Sequence, residues 1–180
     1  MGGFLNIVNE DDEIIGVASR EDIHRQGLRH REIHVIFITP KNEIIFQHRA
    51  KDKDTYPDLL DATVGGHVEI GQSYEEAVIK ETEEETGLKL KISDLKFVGK
   101  VKREGRDETT GKINNVFNRR YLYIYSGKIN DLKIEVGKGI GFEAWPLDKI
   151  LNISDSDKNK FIPYILNLCQ TELGEFINKQ

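Results

Sequence analysis

Gly66-His67-Val68-Glu69-Ile70-Gly71-Gln72-Ser73-Tyr74-Glu75-Glu76-Ala77-Val78-Ile79-Lys80-Glu81-Thr82-Glu83-Glu84-Glu85-Thr86-Gly87-Leu88 is the stretch on which the reading of this chain turns. Ser73, followed three residues later by Glu76, makes an N-terminal capping box, and Gly87 supplies a left-handed stop. The spacing therefore predicts a helix from Tyr74 to Thr86. At about 100° per residue, Glu81, Glu84 and Glu85 fall within an arc of roughly 100°, so their carboxylates share one face. Like charges at these spacings destabilise a helix by about a few tenths of a kcal/mol per pair, so a cation is expected to compensate them. A hard divalent ion, Mg²⁺ or Mn²⁺, suits oxygen ligands and bridges carboxylates to phosphates.

A run of charge is ordinarily just a solvated face. The glycines argue for more. Gly65-Gly66 ends an apolar strand, Leu59-Leu60-Asp61-Ala62-Thr63-Val64, and Gly71 precedes the helix, so the intervening loop can bring backbone groups close to a ligand.

The stretch resembles the Nudix box, with Gly66, Glu81, Glu84, Glu85, Gly87 and Leu88 in register. Three positions depart from it: Gln72 stands where a glutamate is expected, Lys80 where an arginine is, and Thr82 where an apolar residue is. Lys80 keeps the charge without the planar fork. Gln72 can accept a hydrogen bond but cannot take up a proton as a carboxylate does. The resemblance implies an α/β fold, a mixed-sheet α/β/α sandwich, here with an N-terminal β-hairpin and helix extension. It also implies hydrolysis of a diphosphate linkage in a small molecule. A metal would be held by Glu81, Glu84, Glu85 and the Gly66 carbonyl, with Glu84 as first choice of base and Lys80 beside it. Glu69, Glu104, Glu108, Glu135 and Glu143 are outside candidates for that base.

Before the box, Leu28-Arg29-His30-Arg31-Glu32-Ile33-His34-Val35, Gln47-His48-Arg49-Ala50-Lys51-Asp52-Lys53 and Leu60-Asp61-Ala62-Thr63-Val64-Gly65-Gly66-His67 are similar to the Nudix branch that includes isopentenyl-diphosphate isomerase. That likeness implies diphosphate contacts from Arg49 and Lys53, and a metal or substrate role for His67. His24 and His30 could correspond to further metal-binding histidines of that branch. The isomerase chemistry itself fails here, because Gly65 occupies the cysteine position and Lys112-Ile113-Asn114-Asn115-Val116-Phe117 lacks the required glutamate. A hydrolase is the first reading and a noncatalytic ligand-binding module, suggested by Gln72 and Thr82, the second.

Composition agrees with one domain spanning 1–180, with the hairpin and short helix in 1–30 and the box in 66–88: 180 residues, 38% hydrophobic and 32% charged. The net charge of −5 argues against nonspecific nucleic-acid binding. Cys169 cannot form an intramolecular disulfide and reads as core. No apolar run or leader pattern points to a membrane, so a cytoplasmic protein is expected, and a homodimer is left open. Leu5–Val8 and Ile14–Ala18 read as a hairpin, Ser19–Gln26 as a helix closed by Gly27, and Ile33–Thr39, Glu43–His48 and Asn115–Tyr125 as strands. Leu95–Val101 and Phe142–Trp145 are weaker strands, and the chain from Lys158 reads as helical. Adjacent Arg119 and Arg120 should face opposite sides of their strand. Phe117, Tyr121, Tyr123 and Trp145 read as core sooner than as base-stacking residues.

Overall fold

The computed structural model describes residues 3–53 and 55–173. Its N-terminal hairpin joins β1 (Phe4–Val8) to β2 (Ile14–Ser19). The Asn9 side chain turns it by accepting the amides of Asp11 and Glu13, both at 2.9 Å, an Asx-type turn. Ser19 accepts from the Asp22 amide and caps α1 (Arg20–Gln26), which Gly27 closes at φ 68°.

The main sheet is mixed. Its order is β5-β4-β3-β8-β7, from Leu60–Asp61, Glu43–Arg49, His30–Ile38, Ile113–Ile124 and Lys96–Arg106; β6 (Val64–His67) also pairs with β3, and β9 (Gly139–Pro146) with β4. Only the β3–β8 pairing is parallel among the pairings in this sheet of described residues. On one face Ile33, Val35, Phe37, Ile45 and Val64 pack on Tyr74, Ala77 and Val78 of α2 (Tyr74–Thr86). On the other, Ile36, Ile38, Ile44, Phe46 and Leu60 pack on residues from α3 (Leu147–Leu151) and α5 (Pro163–Leu168), with Phe161 and Cys169. Alternation along β3 thus feeds two cores, and the expected α/β/α sandwich is the fold observed. A further short helix, α4 (Asp155–Lys158), lies between α3 and α5.

The expected apolar strand 59–64 is broken in two. Asp61 folds its carboxylate back onto the Ala62 amide at 2.7 Å, and Thr63 accepts the Phe37 amide at 2.8 Å while donating to the Ile45 carbonyl. Thr63 thus bridges β3 and β4 where they diverge, and the glycines fall inside β6 instead of after a strand. The helical reading from Lys158 holds over α5, which continues into a π turn, Cys169–Leu173; its remainder lies outside the described residues. Among the described residues, no helix is long and apolar enough to cross a membrane.

Candidate functional site

The box helix ends as its residues dictate. Ser73 and Glu76 make both capping-box hydrogen bonds, and Gly87 adopts φ 74°. Thr82, at a position where an apolar residue is expected, is fully buried and donates its hydroxyl to the Val78 carbonyl at 2.6 Å, so it fills the core without an orphaned polar atom. Gln72 accepts the Glu69 amide at 3.1 Å and closes the turn before the helix.

The three carboxylates do not form a solvated stripe. Glu81 is 7% exposed and Glu85 1%, whereas the Glu84 side chain stays 45% exposed. Glu85 accepts from the Gly65 amide and the Gln47 amide group, both at 3.2 Å. Glu81 lies directly beneath Gly66, where an added Cβ would stand 2.4 Å from its carboxyl carbon, so only glycine permits this approach. The compensating cation is a residue the sequence reading missed. Lys138 places its ammonium 2.9 Å from Glu85, 3.3 Å from Glu81 and 3.8 Å from Glu135. Burial pushes the Glu85 carboxyl up to about 7, with Lys138 opposing, and raises Glu81 for the same reason. Burial works against the Lys138 charge, but Glu85 and Glu81 more than offset it. Lys80 bonds Glu69 at 3.0 Å and approaches Glu84 at 3.6 Å.

Gly65 and Gly66 face opposite sides of β6, and the opposite side from the carboxylates carries imidazoles. Gly65 pairs with His34, and a Cβ on it would meet that ring at 3.0 Å. His24, His30 and His67, brought from α1, β3 and β6, present ring nitrogens all within 4.8 Å of one another. Glu32 lies 3.9 Å from His30 and 3.8 Å from His67, and is itself held by Arg103 at 3.2 Å and Asn114 at 2.7 Å. Burial would raise the Glu32 carboxyl, but the Arg103 guanidinium holds it well below the usual range. Burial depresses His30 and drives His67 well below its ordinary value, which favours the uncharged rings. His30 donates Nδ1–H to the Leu28 carbonyl at 3.1 Å, leaving a buried Nε2 without a partner. The Arg20 guanidinium donates to His67 Nδ1 at 3.0 Å, which assigns the His67 proton to Nε2. His30 thus keeps an unpartnered Nε2 lone pair in the cluster, whereas the His67 ring turns its lone pair to Arg20.

One cleft of about 980 Å³ wraps around β6 and joins both sides. Glu81, Glu84, Glu135, Lys80 and Lys138 line it, as do His24, Glu32, His34, Arg49, Lys53 and His67. Arg49 makes several protein contacts there: Asp61 takes one donor at 2.9 Å, and the carbonyls of Tyr56 and Thr55 take two more at 3.1 and 2.7 Å. Tyr164 packs its ring beneath the Arg103 guanidinium at 3.8 Å and stacks on His34. Of the outside base candidates, Glu69 and Glu135 line the cleft, and Glu104, Glu108 and Glu143 do not. Arg119 and Arg120 do point apart, to Glu75 and to Glu172, and neither lines the cleft. Phe117, Tyr121 and Trp145 are buried, as expected of core.

The Nudix domain family matches residues 28–165. The chain belongs to that family. An uncharacterized Nudix hydrolase of Clostridium acetobutylicum is 30% identical over 157 residues, covering 85% of this chain and 74% of that protein. The uncharacterized Nudix hydrolase YfcD of Escherichia coli is 40% identical over 85 residues, about half of either protein, with 47% of each covered. Among solved structures, DR0079 from Deinococcus radiodurans superposes with a TM-score of 0.71 at 22% identity, over 94% of this chain and 99% of that one. The Nudix domain of Shewanella oneidensis NrtR, crystallised with ADP ribose, gives 0.61 at 15%, over 83% and 88%. These two likenesses speak to the Nudix fold.

Signals for the missed residues were faint. Glu32 lies at period-two spacing between His30 and His34, ahead of an apolar run, and Lys138 stands between Gly137 and Gly139 at a strand start.

Proposed function

We propose that this Nudix domain is a divalent-cation-dependent hydrolase of a diphosphate linkage in a nucleoside-diphosphate-type or related small molecule. The observation that carries the reading is the Glu81–Glu84–Glu85 face of α2, buried under Gly66 at one end and open to the cleft at the other. Glu81, Glu84 and Glu85, with the Gly66 carbonyl, would hold Mg²⁺ or Mn²⁺; the all-oxygen donor set suits a hard ion, and the cage already holds a cation in Lys138. The ion supplies charge neutralisation at the pyrophosphate oxygens and a lowered pKa for bound water. Glu84, the most exposed of the three, takes the proton from water as its oxygen attacks phosphorus and the bridging P–O bond breaks. Lys80 keeps Glu84 and Glu69 aligned. Lys53 faces the phosphates, and Arg49 shapes the cleft by holding residues 55, 56 and 61 in place. His67 lines the floor on the substrate side.

Gln72 was the strongest ground for a noncatalytic module. Its amide serves the turn at Glu69 and leaves the carboxylate face intact, which supports turnover over binding alone. The test is purified protein against diphosphate compounds, ADP ribose and isopentenyl diphosphate among them, with Mg²⁺ and then Mn²⁺, detecting phosphate before and after phosphatase treatment. Turnover absent in Glu85→Gln supports the hydrolase; compounds that raise the melting temperature without turnover would replace it with a binding module.

A further inference from the structure

Five carboxylates, those of Glu69, Glu81, Glu84, Glu85 and Glu135, share two ammonium groups at the mouth of the box, Lys80 and Lys138. Their positions differ. Lys80 rises from α2 itself and contacts the outer carboxylates Glu69 and Glu84, whereas Lys138 enters from the connection before β9 and reaches the two buried ones. We propose that Lys138 is an exchangeable internal cation that holds the divalent-ion position between Glu81 and Glu85 and sets the affinity of the box for metal by competing for it. The inference rests on the reading that these glutamates bind a divalent ion, and adds a determinant that lies outside the box.

Three observations carry it. First, the ammonium contacts two of the residues that would ligate the ion, so both cations cannot occupy the cage together. Second, the lysine can leave. Its side chain is 30% exposed and lines the open cleft; its neighbour Gly137 has φ 81° and open space around it; and Glu135, 3.8 Å away, offers a second carboxylate at the edge. Third, departure need not move the backbone, because the Lys138 carbonyl accepts from the Ala50 amide at 3.2 Å and its amide donates to Glu135 at 3.0 Å, contacts independent of the side chain. The exchange is then a rotamer change driven by a cation of higher charge. A ligand that must displace another binds more weakly by the displaced partner's own occupancy factor.

The experiment is a Mn²⁺ titration followed by electron paramagnetic resonance on wild type, Lys138→Met, Glu85→Gln and the double variant. The Mn²⁺ binding that Glu85→Gln removes should tighten by about 10-fold in Lys138→Met, within the usual range of coupling between two ligands. In EDTA that variant should melt lower than wild type, and Mn²⁺ should raise its melting temperature by more. If Lys138→Met does not fold, Lys138→Gln, which keeps a donor and drops the charge, reads the same affinity. Glu85-dependent Mn²⁺ binding that is unchanged or weaker without the lysine overturns the inference and leaves the hydrolase reading standing. Mn²⁺ binding that is insensitive to Glu85→Gln in every protein overturns both.

Discussion

The two sides of β6 carry polar clusters of opposite construction. Beneath Gly66, all three candidate metal carboxylates come from thirteen residues of one helix, and an internal ammonium balances them. Beside Gly65, the imidazoles come from α1, β3 and β6, and a carboxylate, Glu32, is balanced by Arg103. A helix fixes the relative positions of its own side chains, so the first cluster needs only α2 to form. The second exists only when the hairpin extension docks and β3 pairs with β6. The difference teaches that one strand, four residues long, can separate a carboxylate cluster on one side from an imidazole cluster on the other, because successive residues point opposite ways.

Several changes would break or sharpen that contrast. The largest effect is expected from Glu84→Gln or Glu85→Gln, which should lower kcat/KM by about 10³-fold while leaving the imidazole side intact, measured as steady-state turnover with Mg²⁺. A loss confined to His67→Gln would reverse the assignment of the two sides. Next, Phe161→Ala should destabilise the fold by about 3–5 kcal/mol in urea unfolding, because Phe161 is fully buried between Phe46 and Trp145, both at 4.9 Å.

The imidazole side answers to Arg20. With its guanidinium removed in Arg20→Ala, His67 is free to shift its proton to Nδ1, and Zn²⁺ affinity should rise by about 10-fold by isothermal titration, in line with the weight of outer partners on metal ligands. No change would mean the imidazoles only pack. Ser73→Ala removes one half of the capping box and should cost about 1 kcal/mol, with a smaller fall in metal affinity than any glutamate variant.

The smallest effect concerns the hairpin that brings His24 into place. Asp12, at its tip, is nearly buried; that burial would raise its carboxyl, but Lys100, Arg31 and Tyr74 win and hold it below the ordinary value of 3.8. A depressed native pKa contributes stability above the unfolded value that is lost as pH falls through the native one. Stability should therefore decline below about pH 4, and Asp12→Asn should flatten that part of the profile in thermal melts.

Chain-local features were legible because local physics fixes them. The Tyr74–Thr86 helix, its Ser73 cap, the Gly87 stop, the hairpin and α1 all appear where capping and turn residues put them. Strand edges were less exact. β3 begins at His30, earlier than apolarity suggested, because its first inward residues, His30, Glu32 and His34, are polar, and the last two line the cleft. The break at Ala62–Thr63 was hidden, since it depends on a threonine answering two other strands.

By itself, then, the sequence determined the family and the carboxylate face, for the physical reason that a helical repeat converts spacing directly into geometry. It also implied that a cation must sit there. Only the tertiary structure decided that Lys138, dozens of residues away, takes that place, that Arg49 is bound up in shaping the cleft, and that Arg20 governs the tautomer of His67. Each of those outcomes is a contact between elements distant in the chain. Such contacts are set by how sheets pair and helices pack, which no local spacing encodes.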